Sequence, residues 1–440
     1  MRADVAVVGG GCAGIAAAVS AARSGARVVL IERRGMLGGQ VAGALIHSIC
    51  GLYLLRENES QPLIPANSGF PMEFANRLLE AGGARGPVRM GRLDVLLHEP
   101  AAFASLAGRL CADVPGLEIR LHTEILEASS GGGMILGLNS PGRRAQLETA
   151  AVVDTTGDAE VAVLTGADWT QAPADKLQRP AYIFKLDGVP ASALSGDERI
   201  RIARALSAAV TDGILPASAL GAAFRGGATE GEAWGTMDLA AVGFAPNGSA
   251  SGQLGNVERP SRGPSSPGKA GDSPAPLFPN LAAFDPCDAL QLAAIENEGR
   301  DAALRIVRFL RGTMPGFLRA TLAELPARAG IRESRRISGR YELSTDDIRD
   351  GATFADSVAR TAWPMELREK PTGPKFRFPS ENRPCGIPLR ALRSRNVEAL
   401  FMAGRCISCS HEAQASIRVI GTCLATGEAA GKAAALHAAG

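Results

Sequence analysis

The hydrophobic positions of this chain follow two periods. Residues 4–8 (DVAVV) and 27–31 (RVVLI) are short, nearly continuous apolar runs, the pattern of strands buried on both faces. Between them lies an Ala-rich stretch closed by Gly25, which reads as a helix with a glycine C-cap. Strand, helix and strand in that order predict a βαβ unit, and hence an α/β class with parallel pairing. Further on, "LEIRLHTEILEASSGGGMILGLNSPGRRAQLETAAVVDTTGD" reads as a strand, a hairpin turning at 130–133, a second hairpin turning at 140–142, and a buried strand 150–154. Helical periodicity returns at 199–211 and 289–310, and an apolar strand at 399–402 precedes an Ala/Gly-rich helical stretch. Residues 244–283, rich in Gly, Ser and Pro, predict a long loop, either a lid over a substrate entrance or an idle insertion.

Composition narrows the class. The 440 residues, 46% of them hydrophobic, can bury a large core and predict two or three domains. A net charge of +2 with scattered basic residues argues against a nucleic-acid surface. Six of the 47 basic residues are Lys, so in this Arg-dominated chain a single arginine is weak evidence of function. The apolar run from Val5 to Ala22 resembles a signal peptide, but Asp4 stands where a basic segment belongs and the glycines suit a βαβ unit better. No other stretch has the length of a membrane span. Eight cysteines without close pairing, apart from Cys406 and Cys409, fit a reducing compartment, and a cytoplasmic protein is expected.

Candidate chemistry begins at the first turn. Gly9, Gly11 and Gly14 form G-x-G-x-x-G between strand and helix, and Glu32 ends the second strand eighteen residues after Gly14. Gly9 suits the tight turn, Gly11 a close approach to a pyrophosphate, and Gly14 the packing of helix on strand. The helix N-terminus would face phosphates, and Glu32 could accept hydrogen bonds from a ribose. A dinucleotide is expected. Open backbone at Gly35, Gly38, Gly39 and Gly43, with the two hairpins before "TTGD", favours FAD over NAD.

These features resemble the FAD-dependent oxidoreductases related to the flavoprotein subunits of fumarate reductase. The resemblance rests on residues 4–45, 118–167, 331–350 and 384–435, including "RESRRISGRYEL" from Arg332 and the closing block from Ala403 to Gly431. It implies a discontinuous Rossmann-type FAD-binding domain of the glutathione-reductase kind, with an inserted α+β substrate domain. FAD-binding parts would be 1–69, 111–167 and 384–440; the substrate domain would take 70–110 and 168–383. By the same resemblance, Gly9, Gly11 and Gly14 would cradle the pyrophosphate, and Glu32 and Arg33 the adenosine end. Gly39 and Gln40 would line the flavin side, Ile125 the adenine, and Asp158 would close the "TGD" turn. Gly404 and Arg405 would approach the ribityl chain and phosphates. A helix starting near Thr422 would aim its N-terminus at the flavin, with Gly427 and Gly431 allowing close packing.

Other residues keep two readings. Arg332, Arg336 and Arg340 alternate on one strand face with Arg335 on the other; they could clamp a substrate carboxylate or bridge domains through Glu333, Asp346 and Asp347. Cys406 and Cys409 form CxxC, read as small packed side chains rather than a dithiol, with Cys406 in a turn against the ribityl chain; no metal site is expected. His47 would either line the pocket or carry FAD covalently; the expectation is noncovalent FAD. His411 is the candidate proton acceptor beside the flavin and Arg418 the fixed cation, with His47 or Tyr341 as substitutes for the base. The absence of a second G-x-G-x-x-G argues against a built-in NAD(P)H domain, and the lack of "LxGDAAH" against an aromatic hydroxylase. The expected activity is hydride transfer between a small organic substrate and flavin N5, with an external electron acceptor or reductase. The rival readings are an oxygenase or halogenase served by a partner reductase, and an electron-transfer subunit.

Overall fold

The computed structural model describes residues 1–174, 176–240, 284–370 and 372–440; the loop expected at 244–283 lies outside the described residues. Strand β1 (Arg2–Val8) sits at the centre of a seven-stranded sheet, with β2 (Val28–Ile31) and then β3 (Leu117–Arg120) parallel on one side. Two hairpin strands, β4 (Glu124–Ser130) and β5 (Met134–Ser140), form a meander that leads into the long strand β6 (Arg143–Asp154). The second half of β6 lies parallel between β1 and the strand Leu400–Met402. The run read as one strand from 117 is therefore two, broken where His122 takes φ +50°, and the strand read at 150–154 is the end of a 12-residue one.

Both faces of the parallel strands are buried, as their unbroken apolar runs require. In β1, Val5 and Val7 enter one core and Ala6 and Val8 the other; Val28 and Leu30 against Val29 and Ile31 repeat the division in β2. Val8 pairs with Ile31 and Asp154, and Asp154 with Met402. Four strand ends thus finish level, and the loops after them open on one edge, where α/β sheets bind ligands.

The first core is closed by α1 (Cys12–Arg23) and the helix Ile420–Ala438. They cross backbone to backbone: a Cβ on Gly427 would lie 2.2 Å from the Ala13 carbonyl oxygen, and one on Gly431 2.2 Å from that of Ala17. The segment 70–110, expected in the substrate domain, sends Phe70, Phe74 and Leu78 of helix Phe70–Glu80 and Phe103 and Leu110 of helix Pro100–Ala112 into this same core.

A further core lies in the middle of the chain. An antiparallel sheet, in the order Ala223–Gly226, Ala233–Asp238, Ala181–Asp187 and Thr321–Glu324, buries Tyr182, Phe184 and Phe224 against two helices. Those helices, Gly196–Thr211 and Ala289–Thr313, begin at side-chain caps, Ser195 and Asp288, which explains why they start where the sequence offers a short polar residue. Leu45, Ala181, Ile183 and Trp234 form the apolar seam between this unit and the glycine-rich turn region. Among the described residues, no helix is long and apolar enough to cross a membrane.

Candidate active site

The level strand ends and the N-termini of α1 and of Ile420–Ala438 surround one cavity of about 310 Å³. Its glycine turn is fixed by sterics. A Cβ on Gly14 would fall 1.8 Å from the Gly9 carbonyl oxygen, whereas one on Gly11 would meet nothing nearer than Gly39 Cα at 3.9 Å. Gly14 thus packs the helix without lining the cavity, and Gly11 keeps backbone open to it. Thr155 Oγ1 donates to the carbonyls of Val8 (2.8 Å) and Gly9 (2.7 Å), tying the β6 loop to the β1 turn.

Glu32, buried at the end of β2, accepts the Gly10 N–H at 2.7 Å and the Arg34 N–H at 2.9 Å. A carboxylate has about four lone-pair sites, so acceptor capacity remains for a ribose. Arg33 lies across the cavity mouth, 2.7 Å from Glu160 and 4.0 Å from Asp158. Ile125, Gly39 and Gln40 complete this wall. Gly404, after Leu400–Met402, takes φ +78°, and the following Arg405 donates to Asp158 at 2.7 Å and to the Ile331 carbonyl at 2.8 Å. Asp154 organises the β6 loop: its buried carboxylate accepts from Thr156 Oγ1 (2.7 Å) and the Val161 N–H (3.0 Å).

Arg418 lines the opposite wall with Arg332, Glu366, Cys50 and Ile183. Glu366 accepts Arg368 Nε at 2.7 Å; burial alone would raise its pKa, but Arg368, Arg418 and Arg332 outweigh it and hold it below the ordinary carboxylate range. Burial also pulls Arg332 down, to about 10, which leaves it charged at neutral pH.

Several sequence candidates stand elsewhere. His411 does not line the cavity: its Nδ1 is 2.8 Å from Glu333, which also takes Arg336 at 2.6 Å. Arg335 lies over the Trp169 ring at 5.2 Å, outside the cavity. The strand alternation expected for the arginines collapses to two residues, Arg336–Ile337, and Arg340 pairs with Glu398. Thr422 is buried behind the wall, since the helix begins at Ile420 and presents Ile420 and Cys423 instead. Tyr341 donates to Asp347 at 2.8 Å, also outside the cavity. His47 stacks on Trp234 at 4.7 Å; burial, then the neighbouring His98, pushes its pKa down to about 3, so it is neutral. Cys406 and Cys409 are free thiols in the second core, Cys406 against the Asp154 carbonyl at 3.5 Å rather than on the cavity surface. Among the described residues, no group of three His, Cys, Asp or Glu could hold a metal.

Sequence reading missed Arg328 and Glu366. Neither sits in a motif, and tertiary folding alone brings them to the cavity. Arg328 Nε and Gln40 Oε1, both on this cavity, are buried with no hydrogen-bond partner among the described residues. Burial and the like charges of Arg34 and Arg33 pull Arg328 down to about 10, which still leaves a cation on the cavity, against Gly43. Open backbone at Gly11, orphaned donor and acceptor groups and a free cation fit the pyrophosphate and ribose of a dinucleotide.

A parallel sheet carrying this glycine turn, this glutamate and this cationic cradle defines a dinucleotide-binding α/β enzyme. The family model described as FAD dependent oxidoreductase matches residues 4–440, and the chain belongs to that family. It is an enzyme whose cofactor is FAD. Among solved structures, the chain is 13% identical to a geranylgeranyl bacteriochlorophyll reductase-like protein from Thermoplasma acidophilum, covering 99% of this chain and 77% of that one at a TM-score of 0.42. For p-nitrophenol 4-monooxygenase from Pseudomonas putida the values are 13%, 78%, 70% and 0.38. For BexE, studied for oxidation during BE-7585A biosynthesis, they are 16%, 77%, 54% and 0.40, so the chain spans about half of that protein. Likenesses this distant carry none of those chemistries over.

Proposed function

We propose that the protein is a dehydrogenase or reductase that moves hydride between a small organic substrate and noncovalently held FAD. What carries this reading is the convergence of four strand-end loops and two helix N-termini on one cavity that, among the described residues, holds an unpartnered cation, Arg328. When bound, FAD supplies a flavin N5 that accepts or returns hydride. Glu32 and Arg33 would hold the adenosine ribose; the start of α1, Gly11, Arg405 and Arg328 would hold the pyrophosphate. The wall around Arg418 and Ile420 would then face the flavin ring and substrate. There the N-terminus of Ile420–Ala438 and the Arg418 guanidinium favour negative charge. With His411 turned away, the carboxylate on that wall is Glu366, already hydrogen-bonded and held ionised. The site works more by fixed charge than by a strong general base.

Noncovalent binding is supported by the stacking of His47 on Trp234, which leaves its ring off the cavity surface. The test is direct. Purify the protein, precipitate it with acid and record the visible spectrum of the supernatant. Free flavin in solution and a colourless pellet are expected; colour in the pellet would sink noncovalent binding. A protein that binds no added FAD would sink the site assignment. Slow reoxidation by O2 after anaerobic reduction is expected, and rapid reoxidation would favour an oxidase or oxygenase.

A further inference from the structure

On the wall around Arg418 the charges do not balance. Asp238 is shared by Arg332 at 2.9 Å and Arg368 at 2.9 Å, and Glu366 takes Arg368 at 2.7 Å. Among the described residues, Arg418 hydrogen-bonds neutral acceptors alone, Gln178 Oε1 at 3.0 Å and the Glu366 backbone carbonyl at 3.1 Å. Among the described residues, three guanidinium groups therefore meet two carboxylates, and both Asp238 and the Arg332 side chain are almost wholly buried. A buried surplus charge is costly unless something compensates it. Arg418 Nε is itself buried and unpartnered, on a side chain that lines the cavity. Arg332 uses Nη1 on Asp238 and on the Arg179 carbonyl, and it too lines the cavity. The cavity they line also offers apolar or weakly polar surface at Ile46, Cys50, Ala181 and Ile183.

We infer that Arg332 and Arg418 form a carboxylate subsite, and that the substrate is a small organic acid whose apolar body rests on Ile46, Ala181 and Ile183. This rests on the FAD reading above, since it places the acid beside the flavin. Guanidinium forks suit carboxylates because two parallel N–H groups match two oxygens. One anion would supply the missing negative charge. Two sources share that chemistry: a substrate carboxylate, which is our assignment, and the charge that flavin gains on reduction.

The experiment uses the FAD-loaded protein, with FAD binding established first by fluorescence. Propionate, benzoate and succinate, and the corresponding neutral amides, are titrated at constant ionic strength while the flavin absorbance is followed. At least one acid should perturb the flavin saturably, and its amide should bind at least about tenfold more weakly. Arg332→Gln and Arg418→Gln should each weaken the acid by about tenfold or more while FAD stays bound. Arg332→Lys and Arg418→Lys keep the charge and should recover part of the affinity; they also serve if a Gln variant does not fold. The subsite is overturned if no acid perturbs the flavin, if amides bind as well as acids, or if the variants bind the acid like wild type. A lowered midpoint potential in the variants with unchanged acid affinity would assign the cations to the reduced flavin instead. Wild-type protein that holds no FAD would instead defeat the cofactor reading, a separate result.

Discussion

Replacing Gly427 by Ala sets two known effects against each other. Alanine in a helix interior is favoured over glycine by about 0.5–1 kcal/mol. Against that, the new Cβ would stand 2.2 Å from the Ala13 carbonyl oxygen and 2.9 Å from its Cα. Ordinary contact begins near 3.4 Å, so the two helices must part by about 1.2 Å, or the Cβ must push backbone that has no rotamer to yield. Overpacking of this kind costs about 1–3 kcal/mol, more than the propensity gain. The expected net loss is roughly 1–2 kcal/mol, a fall in melting temperature of about 2–8 °C for a unit of 150–250 residues. FAD affinity should fall too, because both helices present their N-termini to the cavity. Gly108→Ala and Gly312→Ala are the controls: both glycines are helical with nothing within 4 Å of a new Cβ, so both changes should stabilise. Gly427→Ala with Gly431→Ala should cost less than the sum, since one shift relieves both clashes. Thermal melts of apo and FAD-loaded protein check all four. If Gly427→Ala melts at or above the wild type, the helices do not cross backbone to backbone and the packing argument falls.

Two further outcomes follow from the site. Burial pulls the His411 pKa down, but the hydrogen bond and charge of Glu333 outweigh it, leaving the pKa above its ordinary value. A raised pKa stabilises the fold fully below the unfolded value of about 6.5, and the contribution disappears as pH rises through the raised value. His411→Gln should therefore lose more urea stability at low pH than at high pH, while FAD binding persists; an equal loss at all pH values would break the link to Glu333. Cys406 and Cys409 are neutral thiols, Cys409 pushed up to about 12 chiefly by burial. In folded protein both should resist thiol reagents, and Cys409→Ala should turn over within a few-fold of wild type. Loss of several orders of magnitude with FAD bound would restore a dithiol mechanism.

The glycine turn, Glu32 and the Gly427–Gly431 pair were legible because their meaning lies in local spacing: a turn, a strand end, one helical pitch. The charged wall was legible only in part. Arg418 and Arg332 were candidates from the sequence, but their meeting at one cavity with Glu366 depends on segments far apart in the chain. His411 shows the opposite error, since closeness in sequence was taken for closeness in space. It begins the helix His411–Ile417, seven residues before Arg418, so about 10 Å of helix rise separates them. That distance is enough to give His411 to Glu333 and Arg418 to the cavity.

The crossing of α1 with Ile420–Ala438 also sets a schedule for synthesis. About 400 residues separate the starts of the two helices. At ribosomal rates of about 5–20 residues per second, the glycine turn waits roughly 20–80 s for the helix that completes its cavity. Throughout that interval the part of α1 that Gly427 and Gly431 approach, at Ala13 and Ala17, lacks its helix partner. A chain that has not yet made Ile420–Ala438 lacks one side of the FAD cavity, so firm retention of FAD is expected only after that helix has emerged.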